Sequence, residues 1–91
     1  MFSDEISLSV TQNDISGAIP DELYGLLQME RLYLSFNRFS GPISTKIGQL
    51  SALTEFYAYT NELTGELPTE LGELEFLENF VVGKNKLEGE N

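Results

Sequence analysis

The sequence predicts an α/β solenoid, with a parallel sheet of short strands on its concave face and an irregular or 3₁₀-helical convex side. Three observations predict it. Asparagines recur at Asn13, Asn37, Asn61 and Asn85, each 24 residues from the next. Glycines recur in step at Gly17, Gly41, Gly65 and Gly89. Apolar side chains return at seven fixed phases around each asparagine. A constant interval of this size marks stacked coils that bury their apolar faces against one another. The coils run approximately over residues 2–25, 26–49, 50–73 and 74–91.

The strand comes first in each coil. Leu8, Leu32, Phe56 and Phe80 stand five residues before the asparagines, and Val10, Leu34, Ala58 and Val82 stand three before. These alternate with non-core positions, and alternation with period two is the strand pattern. Further apolar columns are Phe2, Leu26, Leu50 and Leu74, then Met29, Leu53 and Leu77, with Glu5 in the matching slot of the first coil. After the asparagine come Ile15, Phe39, Leu63 and Leu87, then Ile19, Ile43 and Leu67, then Leu23, Ile47 and Leu71.

The asparagine turns the chain after the strand. Its amide is expected to bond the backbone of its own coil and of the neighbouring coil, because an unpaired buried polar group costs about 1–3 kcal/mol. The following glycine suits a bend that needs positive φ or close backbone approach. Pro20 and Pro68 fix φ in the outgoing segment. Pro20 to Tyr24 and Thr69 to Gly72 are long enough for one short 3₁₀ turn, and no longer helix fits before the next strand.

Composition excludes several function classes. The chain has 91 residues, no cysteine and no histidine, with 15 acidic residues against 5 basic ones and a net charge of -10. No disulfide framework or thiolate metal site is available, and the commonest general base is missing. Nucleic acid and anionic membrane are disfavoured as partners by like charge. No signal peptide follows Met1, and no apolar run approaches a membrane span. No phosphate loop, activated serine or distinct carboxylate pair is present, so no catalytic residue, cofactor or metal ligand is assigned. The glutamates Glu66, Glu70, Glu73, Glu75 and Glu78 read as a solvated face, because they lack calcium-loop spacing. No N-glycosylation sequon occurs.

The pattern LxxLxxLxLxxNxLxGxIP, carried by "LQMERLYLSFNRFSGPIS", "LSALTEFYAYTNELTGELP" and "LEFLENFVVGKNKLEGEN", resembles the leucine-rich repeat. The Ser/Thr-Gly pairs at Ser16-Gly17, Ser40-Gly41 and Thr64-Gly65 resemble its plant-type subclass. That resemblance implies a right-handed superhelix. It also implies a recognition module, as in receptor-like kinase and receptor-like protein ectodomains, working outside the cell or anchored at its surface. A kinase would then lie outside this segment. Two alternatives stay open: a soluble inhibitor of a cell-wall-degrading enzyme, and an intracellular interaction scaffold.

Departures from the pattern are Glu5, Ser44 in place of proline, Tyr24 where Gly48 and Gly72 stand, the small Ala58, and Glu88. The family's cysteine-paired caps are absent. Uncapped ends would leave several hundred Å² of apolar surface, on the order of 5–10 kcal/mol of unrealised burial. The chain therefore reads as a segment of a longer array, and the ends otherwise offer a route to self-association.

Residues between the core positions vary from coil to coil, so they are the ones on display. The partner-binding candidates on the concave face are Arg31, Tyr33, Ser35, Phe36, Glu55, Tyr57, Tyr59, Thr60, Val81 and Lys84. Tyrosine and arginine are enriched at binding hot spots. Stacked tyrosines also stabilise a ladder by packing alone, which is the blander explanation. Arg31 and Glu55 are expected to form a surface ion pair one coil apart. The implied partner is a protein or peptide.

Overall fold

Each of the four coils places two short strands at the same phases, and the first three follow them with a 3₁₀ turn; the computed structural model describes residues 7–88 of this stack. The expectations for Phe2, Glu5 and Gly89 lie outside those residues. The concave sheet holds β1 (Ser7–Ser9), β3 (Arg31–Tyr33), β5 (Glu55–Tyr57) and β7 (Asn79–Val81), all parallel and in spatial order. Its register is direct: Leu8, Leu32, Phe56 and Phe80 lie abreast.

A second parallel sheet follows the asparagines, and it corrects the expectation of one strand per coil. It contains β2 (Ser16–Ala18), β4 (Arg38–Gly41), β6 (Glu62–Glu66) and β8 (Lys86–Glu88). At most one core residue per strand anchors it (Phe39, Leu63 and Leu87, with none in β2), too few to show as an alternating pattern. Its register is held instead by the asparagine side chains, which bind backbone across coils. The convex side carries 3₁₀ helices at Asp21–Gly25, Thr45–Gln49 and Thr69–Glu73. The middle one was not anticipated, because Ser44 stands where proline opens the other two. The Ser44 hydroxyl caps it, accepting from the Lys46 backbone N–H at 3.0 Å.

The asparagines form a ladder that runs through the stack. Asn37 Oδ1 accepts from the backbone N–H groups of Asn13 and Ile15, both at 2.9 Å. Its Nδ2 donates to Val10 O (2.9 Å) in the preceding coil and to Leu34 O (3.1 Å) in its own. Asn61 repeats this one coil on, accepting from Phe39 N–H and donating to Leu34 O and Ala58 O. Asn85 accepts from Leu63 N–H and donates to Ala58 O and Val82 O. One side-chain amide thus satisfies strand-end groups on two coils. The glycines that follow have φ of +92° at Gly17 and +78° at Gly41 and Gly65, where a Cβ is disfavoured.

Met29, Leu34, Ile47, Leu50, Leu53, Phe56, Ala58 and Leu63 are fully buried between coils. Phe56 and Phe80 stack at 5.2 Å between ring centres. Leu26 departs from its column. It is 37% exposed, whereas Leu50 and Leu74 at the same phase are buried.

Two of the sequence departures explain each other. Tyr24 is the largest fully buried side chain, and its hydroxyl accepts from the Ser44 backbone N–H at 3.3 Å. Proline at position 44 would have no N–H to donate. Burial pushes the Tyr24 hydroxyl above its ordinary value, with the Ser44 bond opposing and the nearby Asp21 charge assisting. The folded state therefore favours the neutral phenol. Below the unfolded value near pH 10 this stabilisation is fully present. As pH rises past it the unfolded chain releases the proton first, and stability falls. Urea unfolding from pH 8 to 11 should show that loss in the wild type and a smaller one in Tyr24→Phe. Equal loss in both proteins would show that the Tyr24 proton plays no part.

Candidate functional site

The concave sheet sorts its side chains by alternation. Leu32 and Phe56 point inward and are buried, so Arg31, Tyr33, Glu55 and Tyr57 are left half-buried on the open side. Register places Arg31, Glu55 and Asn79 in one row, and Tyr33, Tyr57 and Val81 in the next. Adjacent rows of a parallel sheet bring such side chains within packing distance.

Two aromatic pairs result. The Tyr33 and Tyr57 rings lie edge to face, with centres 5.4 Å apart and planes at 66°. Phe36 and Tyr59 pair likewise at 5.7 Å and 72°. Phe36 is 47% exposed, a large apolar side chain left in water. The Tyr59 ring spreads over Gly83, where an added Cβ would stand 3.3 Å from Tyr59 Cε1. Gly83 is thus a missed member of the site. Its only sequence signal is a missing side chain in a column that holds Thr11, Ser35 and Tyr59.

The expected Arg31–Glu55 ion pair does not form. Arg31 Nη1 lies 3.5 Å from Glu30 Oε1, its chain neighbour, and Glu55 instead accepts the Tyr33 hydroxyl hydrogen. That hydrogen bond is the main cause holding the Tyr33 hydroxyl above its ordinary value. The carboxylate has two acceptor oxygens and a phenol directly within reach, whereas Arg31 finds an acid in its chain neighbour Glu30, just before β3.

Ser35 is not on display. It is 7% exposed, and its Oγ accepts from the Tyr59 backbone N–H at 2.9 Å, so it braces the neighbouring coil. Tyr33, Tyr57 and Val81 share one row and Phe36 pairs with Tyr59, whose chain neighbour is Thr60; Arg31 and Glu55 lie in the adjoining row, and Lys84 is exposed in the turn after β7.

Backbone conformation adds a feature that composition did not show. The residue before each asparagine is left-handed: φ is 63° at Gln12, 60° at Phe36, 62° at Thr60 and 58° at Lys84. The sharp turn sits at this residue, one place earlier than expected. Aromatic and β-branched side chains are poorly suited there, at a cost of order 1–2 kcal/mol. Asparagine tolerates that region, so Thr60→Asn should raise unfolding free energy by about 0.5–1 kcal/mol. Urea denaturation measures it, and a destabilised variant would show that Thr60 makes a contact outweighing the strain.

The ion pairs elsewhere join coils on the outer surfaces. Arg38 lies 3.6 Å from Asp14, and Lys46 lies 3.1 Å from Asp21. Each is solvent-exposed and contributes under about 1 kcal/mol. Among the described residues no acidic group is clustered tightly enough to hold a metal ion, and no helix is long and apolar enough to cross a membrane.

The family model described as Leucine Rich Repeat matches residues 28–50. No curated protein matches the chain in sequence. Several solved structures do match its fold. The BIR3–SERK2 complex from Arabidopsis thaliana is 32% identical over 89% of this chain and 44% of its own, with a TM-score of 0.85. The Arabidopsis receptor kinase HAESA ectodomain, in complex with an extended IDA peptide hormone, is 35% identical over 88% of this chain and 13% of its own, with a TM-score of 0.85. A plant ice-binding protein is 30% identical over 90% of this chain and 27% of its own, with a TM-score of 0.86. The chain spans less than half the length of each. One scaffold thus serves unlike functions, and the choice among them rests on surface residues.

Proposed function

The chain belongs to the plant-type leucine-rich repeat family, and from that membership we propose that it is a recognition module. Its concave face holds a peptide or protein partner, within the ectodomain of a receptor or receptor-like protein at the cell surface. One observation carries this reading. Four aromatic rings gather on the open face of the sheet, in two edge-to-face pairs, when the repeat itself needs only the inward columns. Rigid aromatic side chains supply large contact area at low entropic cost, and interfaces concentrate their binding energy on such residues. The likeness to an ectodomain solved with a peptide hormone supports the same reading. The residues on this face offer binding groups and no arrangement for catalysis.

Peptides selected by random display against the chain provide the test. The Tyr57→Ser, Tyr59→Ser double variant is expected to weaken their binding at least about thirtyfold, the equivalent of one hot-spot residue. Its urea midpoint should stay near the wild-type value, because both rings lie outside the core. Selected peptides that bind the variant undiminished would remove the concave face as the site.

A further inference from the structure

We propose that Glu55 and Tyr57 receive an arginine side chain of the peptide partner, so that a ligand of the concave face carries a guanidinium group where it meets β5. This specifies the ligand of the recognition reading above and rests on it. An uncompensated charge is the first reason. Glu55 is half-buried on the open face, in a row with Ser7, Arg31 and Asn79. The one cation of that row has turned away, because Arg31 pairs with its chain neighbour Glu30. Among the described residues the ion pairs are Arg31–Glu30, Arg38–Asp14 and Lys46–Asp21, and Glu55 joins none. Its carboxylate accepts one hydrogen bond there, from the Tyr33 hydroxyl to Oε1. A carboxylate has about four acceptor sites, so most of its capacity is left for donors on a partner. Donors that are themselves charged make bonds roughly twice as strong as neutral ones. A ligand carboxylate at this place would be repelled, and an apolar group would leave the charge desolvated and unpaired. The net charge of -10 over the chain favours the approach of a cation.

The neighbouring ring is the second reason. Tyr57 follows Glu55 by two residues on β5, on the same face of the sheet. Such positions lie about 6.6 Å apart along a strand. A cation bound to the carboxylate therefore falls near the distance, about 6 Å from a ring centre, at which an aromatic face attracts it. The Tyr33 ring packs edge to face on Tyr57, with centres 5.4 Å apart, and its hydroxyl is the group that holds Glu55. Carboxylate and rings are thus tied together before any ligand arrives, which lowers the entropic cost of binding. Guanidinium suits this pair better than ammonium. It is planar, so it stacks on the ring while its fork of N–H groups meets the carboxylate, and it is the more weakly hydrated of the two.

The probes are the display-selected peptides, labelled and measured by fluorescence polarisation. Each is also made with its arginine replaced by citrulline, which keeps the shape without the charge, and by lysine. The selected peptides are expected to carry arginine, with the citrulline form at least about tenfold weaker and the lysine form weaker than arginine. Glu55→Gln keeps an acceptor for the Tyr33 hydroxyl. It should weaken the arginine peptide about tenfold and bring the arginine and citrulline forms within about twofold of each other. Winners without arginine, lysine forms that bind as well as arginine, or an arginine preference unchanged in Glu55→Gln overturn the proposal. Arginine-free winners that are lost in the Tyr57→Ser, Tyr59→Ser variant overturn the arginine ligand and leave concave recognition standing. Winners indifferent to that variant, or no winners at all, overturn both.

Discussion

Tyr24→Ala is expected to lower the unfolding free energy by about 4 kcal/mol, in the range of the costliest core truncations. Tyr24 is 1% exposed and stands where later coils have glycine, so the phenol ring fills the space between the first and second 3₁₀ turns. Removing it deletes a large apolar contact and opens a cavity in a structure that relaxes only partly. A protein of this size holds roughly 5–14 kcal/mol in total, so the variant approaches half-unfolded behaviour under mild conditions. Urea denaturation gives the value, and a loss under about 1.5 kcal/mol would mean that the coils close over the gap. The Ser44 contact adds a second check. Ser44→Pro removes the N–H that the buried hydroxyl accepts, at about 1–2 kcal/mol. Combined with Tyr24→Phe, it should cost less than the two single changes summed, since no hydroxyl remains to be left unpaired.

Asn37→Ala should cost about 3 kcal/mol. Asn37 is 7% exposed, accepts two backbone N–H groups of the preceding coil, and donates to carbonyls on both coils. Alanine leaves several of these groups buried without partners, and each costs about 1–3 kcal/mol unless water enters. Asn13→Ala is the control. Asn13 is exposed and, among the described residues, its side chain donates only to Val10 O and Thr11 O of its own coil, so its loss should stay below about 1 kcal/mol. Equal costs at the two positions would show that the inter-coil bonds contribute nothing beyond the local turn.

Much of the candidate site was legible before the structure. Tyr33, Tyr57, Tyr59 and Phe36 stood out because they vary where the core repeats, and strand alternation placed Tyr33 and Tyr57 outward. Ser35 was misplaced by the same alternation. The strand ends at Tyr33, so the pattern no longer holds two residues later, and the hydroxyl turns inward to a backbone N–H. The Arg31–Glu55 pair failed because a shared row fixes nearness and leaves the choice of partner to side-chain reach. Gly83 has no side chain to announce it, and its part depends on where the Tyr59 ring comes to rest.

The sequence by itself determined the coil, the period, the concave strands, the inward columns and the asparagine ladder. All of these are repeated, and a repeated residue must meet its own kind in the next coil, so spacing alone specifies the contact. The tertiary structure alone decided the second sheet, the left-handed residue before each asparagine, the union of Tyr24 with Ser44, and the edge-to-face pairing on the open surface. Those depend on unlike residues meeting across coils, where distance, reach and hydrogen-bond direction choose the partner and one-dimensional spacing carries no record of the choice.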